Sequence, residues 1–172
     1  MLRLVLILFI FLSCSDPIDD IQSRDGLPDQ ESWGVKIILS DNGIMRAKVK
    51  SGHLEKYNEK AFILLDSGVT VDFFDNSEVH TSMLISKKAE INQNSNDMVA
   101  KDNVIAISDS GIKLFSQELL WNSKEEKLHT KKDVMITTLE KDTLYGIGFE
   151  SDADLKNWKI ISPSGVTNRE IE

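Results

Sequence analysis

The residues of this chain with chemistry to offer are three histidines, one cysteine, a scatter of aspartates and a Gly-x-Gly pair. His53, His80 and His129 lie far apart with no second ligand at short spacing. A zinc site built on Cys and His needs several at ligand spacing, so the expectation is three strand-surface histidines and no metal. Asp66, Asp72, Asp75, Asp97, Asp102 and Asp109 are read as turn and strand-end residues, where a short carboxylate accepts from nearby backbone N–H groups. No Ser/His/Asp arrangement and no phosphate-cradling loop accompanies them. Gly146-x-Gly148 lacks a third glycine and a following helix, which removes a dinucleotide site. Neither catalysis nor a cofactor is expected. A net charge of -8 and a pI near 4.9 also exclude nucleic acid as a partner, because phosphate binding draws on clustered Lys and Arg.

The cysteine is the exception. Met1-Leu2-Arg3 supplies one positive charge, residues 4–12 are uniformly apolar, and Ser13-Cys14 follows. That is the layout of an export signal. The apolar run is about half of the roughly 20 residues a helix needs to span a bilayer, so cleavage is expected rather than an uncleaved anchor. Phe11-Leu12-Ser13-Cys14 resembles the bacterial lipobox, with Phe where Leu is commoner. There the thiol is diacylated and the cysteine becomes the new N-terminus. Two or three acyl chains anchor stably where one is marginal. Residues 14–31 then read as a lipidated start and an acidic, proline-containing flexible tether, with little to bury.

The elements behind these residues are strands. With 41% hydrophobic and 28% charged residues, the remaining length suits one globular domain, assigned to residues 32–165 with a tail at 166–172. Val35, Ile37 and Leu39 alternate with polar residues and stop at Asp41-Asn42-Gly43; Val69, Val71 and Phe73 stop at Asp75-Asn76. Asp109-Ser110-Gly111 and Glu140-Lys141-Asp142 punctuate the later strands. The chain also repeats. Residues 84–92 run in register with residues 114–122, and the register continues from Met98 and Ala100 onto Leu128 and Thr130, then from Val104 and Ala106 onto Val134 and Ile136. Ala47-x-Val49-x-x-Gly52-x-Leu54, followed by Gly68-Val69-x-Val71, is a looser third copy. In Leu-x-Ser-x-x-Ala-x-Ile the alternation changes phase once, so a bulge or corner is expected mid-strand, keeping both halves on one face. One concave surface should then carry Leu84, Ala89, Ile91, Met98, Ala100, Val104, Leu114, Leu119, Trp121, Leu128, Val134 and Ile136.

Leu84-Ile85-Ser86-Lys87-Lys88-Ala89-Glu90-Ile91, the stretch Met98 to Val104, Leu114-x-Ser116-x-x-Leu119-x-Trp121 and Leu128-x-Thr130-x-x-Asp133-Val134 together resemble the repeat of the LptC family of lipopolysaccharide-export components. Leu144-Tyr145-Gly146-Ile147-Gly148-Phe149, with Leu155-x-x-Trp158-x-Ile160, is similar to that family's closing segment. The resemblance covers about residues 35–165. It implies an all-β fold, a twisted V-shaped antiparallel β-jelly roll of repeated bent strands, whose apolar cleft, formed by that concave surface, takes lipid A acyl chains. It also implies a permease-facing edge at Val35, Ile37 and Leu39 for LptF/LptG with its ATPase. A bridge-facing edge for an LptA-like periplasmic protein would fall at Met135, Leu144, Gly146 and Gly148. Familiar members keep a transmembrane helix where this chain looks lipidated. The family implies the periplasmic face of the inner membrane, whereas Ser15 after the cysteine favours the outer one. The rival function is a structural or adhesive β-scaffold lipoprotein with a closed core.

Overall fold

The computed structural model describes residues 26–140 and 142–164. The expected signal, Cys14, most of the tether, Lys141 and the tail lie outside the described residues. Ten strands form one antiparallel sheet: β1 (Gln30–Asp41), β2 (Ile44–Tyr57), β3 (Phe62–Phe74), β4 (His80–Ser86), β5 (Lys88–Asn92), β6 (Met98–Ser108), β7 (Lys113–Asn122), β8 (Lys127–Thr137), β9 (Thr143–Asp152) and β10 (Trp158–Ser164). The order is β1-β2-β3-β4-β6-β7-β8-β9-β10, with β5 pairing both β3 and β6. This is the all-β jelly roll that the family resemblance implies. The sheet begins at Gln30, two residues before the expected domain start, because Gln30 and Glu31 pair with Lys56 and Glu55. The first hairpin turns on Asn42 (φ 50°) and Gly43 (φ 83°), the two positive values that a two-residue Asn-Gly connection supplies.

Each long strand breaks at one level. Pairing registers shift between Ser51 and His53, Lys101 and Val104, Ser116 and Leu120, and Thr130 and Asp133. Ser67-Gly68 and Asp102-Asn103 have positive φ, and Lys87 separates β4 from β5. These corners stack across the sheet: the Gly68 N–H donates to the Lys87 carbonyl and the Lys87 N–H to that of Asp102. Buried hydroxyls serve the backbone groups that the breaks release. Ser51 Oγ lies within 2.8 Å of the His53 and Asp66 carbonyls, while Ser86 Oγ donates to Lys88 O and Ser116 Oγ to Asp133 O, each at 2.9 Å. Thr130 Oγ1 accepts from the Lys132 N–H. The repeated Ser or Thr ahead of each phase change is therefore part of the corner, since an unpaired buried carbonyl or amide costs about 1–3 kcal/mol.

Three aspartates depart from the turn and strand-end expectation. Asp66 and Asp102 sit inside β3 and β6 at corners, and Asp72 lies mid-strand in β3, where Lys50 reaches it across the sheet at 3.2 Å. The Asp75 turn follows the expected rule: its Oδ1 accepts from the N–H groups of Ser77 and Val79. These bonds hold its carboxyl below the usual range.

The two glycines of β9 have separate structural roles. Gly148 is the β9 corner, with φ +77° and a would-be Cβ 3.0 Å from Ile161. Gly146 lets β10 come close, since a Cβ there would lie 2.6 Å from the Ser162 carbonyl oxygen and closer still to Ile160. Gly148→Val should cost at least about 2 kcal/mol, the upper range for a strained left-handed residue. Urea unfolding of this variant checks it: a midpoint equal to wild type would contradict the corner assignment.

The start of β1 is held by a charge contact. His53 Nε2 lies 2.9 Å from Glu31 Oε1, and Nδ1 lies 3.1 Å from Asp66 Oδ1. The Glu31 hydrogen bond, with a further contribution from Asp66, raises the imidazole pKa above 6.5 against the opposing effect of desolvation. A raised folded pKa means this stabilisation is complete below pH 6.5 and is lost as pH rises through the folded value. Amide exchange around Glu31 to Trp33, corrected for intrinsic pH dependence, should be slower at pH 5.5 than at pH 8, and His53→Gln should remove the difference. Equal pH dependence in both proteins would contradict the contact.

Candidate functional site: an apolar interior with a latched mouth

The bent sheet folds its two arms over one shared core. In each repeat, inward positions continue through the corner, so Leu84 and Ser86 are followed by Ala89 and Ile91. All twelve residues read from the sequence as the concave surface face this interior. None exceeds 4% exposure, and they form one cluster with Ala47, Val49, Leu65, Val71, Phe73, Ala106 and Phe149. The walls are packed on each other, as protein interiors are. Sequence pattern placed these residues on one face, but it could not show how closely the arms approach.

Contacts between distant segments close one end. Arg46, the extra residue where the β1–β2 register slips, sends its guanidinium to Asn76 in the β3–β4 turn and to Glu126 in the β7–β8 turn. Ser82 Oγ on β4 donates to the Ala153 carbonyl beyond β9, and Leu155 from the same turn is fully buried. A surface pocket lies over this junction, lined by Arg46, Asn76, Glu126 and Asp154 among others. Nothing in the periodicity of the chain marks Arg46, Ser82 or Leu155 as a group.

The same end of the interior carries polar atoms lacking partners among the described residues. Arg46 Nε, Trp121 Nε1 and Ser151 Oγ are buried without a hydrogen bond. Trp121 and Ser151 flank Leu128 in the strand register, and the Phe73 ring meets Trp121 edge-on with centroids 5.3 Å apart. Each unpaired buried donor or acceptor costs about 1–3 kcal/mol.

The sheet has two outer strands, and here one prediction is corrected. Val35, Ile37 and Leu39 do lie on the edge strand β1, with their side chains turned toward the core. Met135 lies on β8, however, and Leu144, Gly146 and Gly148 lie on β9, which β10 covers along residues Tyr145 to Ser151. The outer strand at this end is β10, because Gly146 and Gly148 admit it so closely. Among the described residues, nothing pairs with the outer sides of β1 and β10.

Fold and interior together define an antiparallel β-jelly roll wrapped around an apolar core, with two open sheet edges. The family model described as "Lipopolysaccharide-assembly, LptC-related" matches residues 34–167, and the chain belongs to that family. No curated protein matches the chain. Membership gives it a role in lipopolysaccharide transport as a periplasmic-side component of the cell envelope, in a family of transport components rather than enzymes. Among the described residues, no helix is long and apolar enough to cross a membrane.

Proposed function

We propose that the interior between the two arms is the binding cleft for lipid A acyl chains, received from a permease and passed to the next jelly-roll protein. The observation that carries this reading is the coincidence of an almost wholly apolar interior with unpaired buried polar atoms at its latched end. Acyl chains would replace side-chain contacts along the walls at roughly 25 cal/mol per Å² buried. Trp121 Nε1 and Ser151 Oγ could meet the ester or hydroxyl oxygens that a pure hydrocarbon lacks. No bond is made or broken here; the driving energy comes from an ATPase elsewhere.

In this reading β1 receives a strand from the LptF/LptG permease and β10 offers its edge to an LptA-like bridge. Strand addition gives affinity through main-chain hydrogen bonds and leaves the interior continuous from one protein to the next. Lipidation of Cys14 would hold the permease-facing end at the periplasmic face of the inner membrane. The full burial of the twelve cleft residues favours the rival closed-core scaffold, so the test must separate the two. In a variant keeping Trp121 as its only tryptophan, lipopolysaccharide bearing an acyl-chain nitroxide should quench the emission. Quenching no greater than that by a water-soluble nitroxide would leave the scaffold reading in possession.

A further inference from the structure

We propose that Glu31, His53 and Glu55, on the outer face of the β1–β2 hairpin, form a binding site for a divalent transition-metal ion, with zinc the best match. Their ligand atoms lie within 4.8 Å of one another. Twice a zinc–nitrogen or zinc–oxygen bond is about 4.2 Å, so small rotations of two glutamate side chains would close the set around one ion.

The hairpin places the three groups by register. Glu31 stands directly opposite Glu55, and Trp33 opposite His53, while His53 and Glu55 are two apart on one strand and therefore share a face. Like charges directly opposed across a strand pair are destabilising. With Asp66 opposite His53 on β3, three carboxylates surround one imidazole. Even a protonated His53 leaves that group at -2, which a dication would balance.

The orientation of His53 is the second observation. Its Nδ1 is engaged by Asp66 at 3.1 Å, and Asp66 in turn accepts from Ser67 Oγ at 2.9 Å, leaving Nε2 directed at Glu31. A metal-binding histidine typically has its second nitrogen held by a carboxylate in this way, which fixes the tautomer and raises ligand basicity. The imidazole is held further by Trp33, whose ring lies 5.3 Å from it, and Tyr57 O–H donates to Glu55 at 2.8 Å. One imidazole and two carboxylates suit zinc, whereas calcium and magnesium take oxygen alone. The ion would tie the first residues of edge strand β1 to β2, replacing the proton that links Glu31 to His53.

Calorimetric titration of zinc chloride into the full chain, with Cys14→Ser to remove the thiol, tests this at pH 7.5. One ion per chain is expected. His53→Ala should weaken binding at least tenfold, Glu31→Gln and Glu55→Gln should each weaken it severalfold, and Asp66→Asn should do so by about 10–100-fold with an unchanged circular dichroism spectrum. Binding should also fall at pH 5.5 as His53 takes up a proton. His80→Ala, which alters the other histidine–aspartate contact, should change nothing. Absence of saturable zinc binding, or one-to-one binding that survives both His53→Ala and Glu55→Gln, would overturn the assignment.

Discussion

Joining the two arms across their mouth should weaken acyl binding at least about tenfold without unfolding the protein. Cysteines in place of Ser82 and Ala153, each converted to a mixed disulfide by a short bis-methanethiosulfonate reagent with loss of methanesulfinate, and with Cys14 replaced by Ser, would fix the junction that the Ser82 hydroxyl and the Ala153 carbonyl hold in the native protein. That contact joins residues 71 apart in sequence, from β4 and from the turn beyond β9. The apolar interior lies behind it. If acyl chains enter by parting the arms, the bridged protein should bind lipopolysaccharide at least about tenfold more weakly, roughly 1.4 kcal/mol. A reducible linker should restore affinity on reduction. Urea unfolding run in parallel should show a stability equal to or above that of the unbridged form, because a covalent closure restricts the unfolded chain. Unchanged binding in the bridged protein would place the lipid elsewhere.

The second large effect concerns the wall itself. Leu119 is fully buried beside Ala100 on β6 and adjoins the β7 corner. Leu119→Ala should lower stability by about 2–5 kcal/mol through lost transfer energy and the cavity left behind. Domains of this size have roughly 5–15 kcal/mol in all, so the loss is a large share. Leu119→Asp should prevent folding, since a carboxylate there has no charged partner and no path to water. Trp121→Phe is the contrasting case: it removes a buried indole N–H that has no partner and keeps an aromatic ring against Phe73. Its stability should lie within about 1 kcal/mol of wild type, much less than the cost of Leu119→Ala. Denaturant midpoints for Leu119→Ala and Trp121→Phe, read with their slopes, and the circular dichroism spectrum of Leu119→Asp check the series.

Much of this was legible in the sequence because the chain repeats. A phase change after Ser86 and again after Ser116 marked two corners, and the aligned residues Leu84 and Leu114, Ile91 and Trp121, and Met98 and Leu128 fell on one buried face. The role of the serines was visible only once the carbonyls they serve were placed. The outer edge was placed at Met135, Leu144, Gly146 and Gly148 on the family resemblance alone, whereas the two glycines make room for one further strand. The mouth was not legible at all. Arg46 meets Asn76 and Glu126, thirty and eighty residues away, and no local pattern encodes such a meeting. His53 looked isolated for a related reason: its carboxylate partners, Glu31 and Asp66, stand 22 and 13 residues away and arrive through strand pairing.

Photo-crosslinking in living cells tests the central claim most directly. A benzophenone amino acid at Met98 or Trp121, inside the cleft, and at Lys48 or Lys113, on exposed or half-exposed outer positions, would be irradiated and probed for lipopolysaccharide adducts. Acyl chains held between the arms should give adducts from Met98 and Trp121 and none from Lys48 or Lys113. Adducts from the outer positions alone, with the interior positions silent in correctly folded protein, would contradict the cleft as the carrier of lipid.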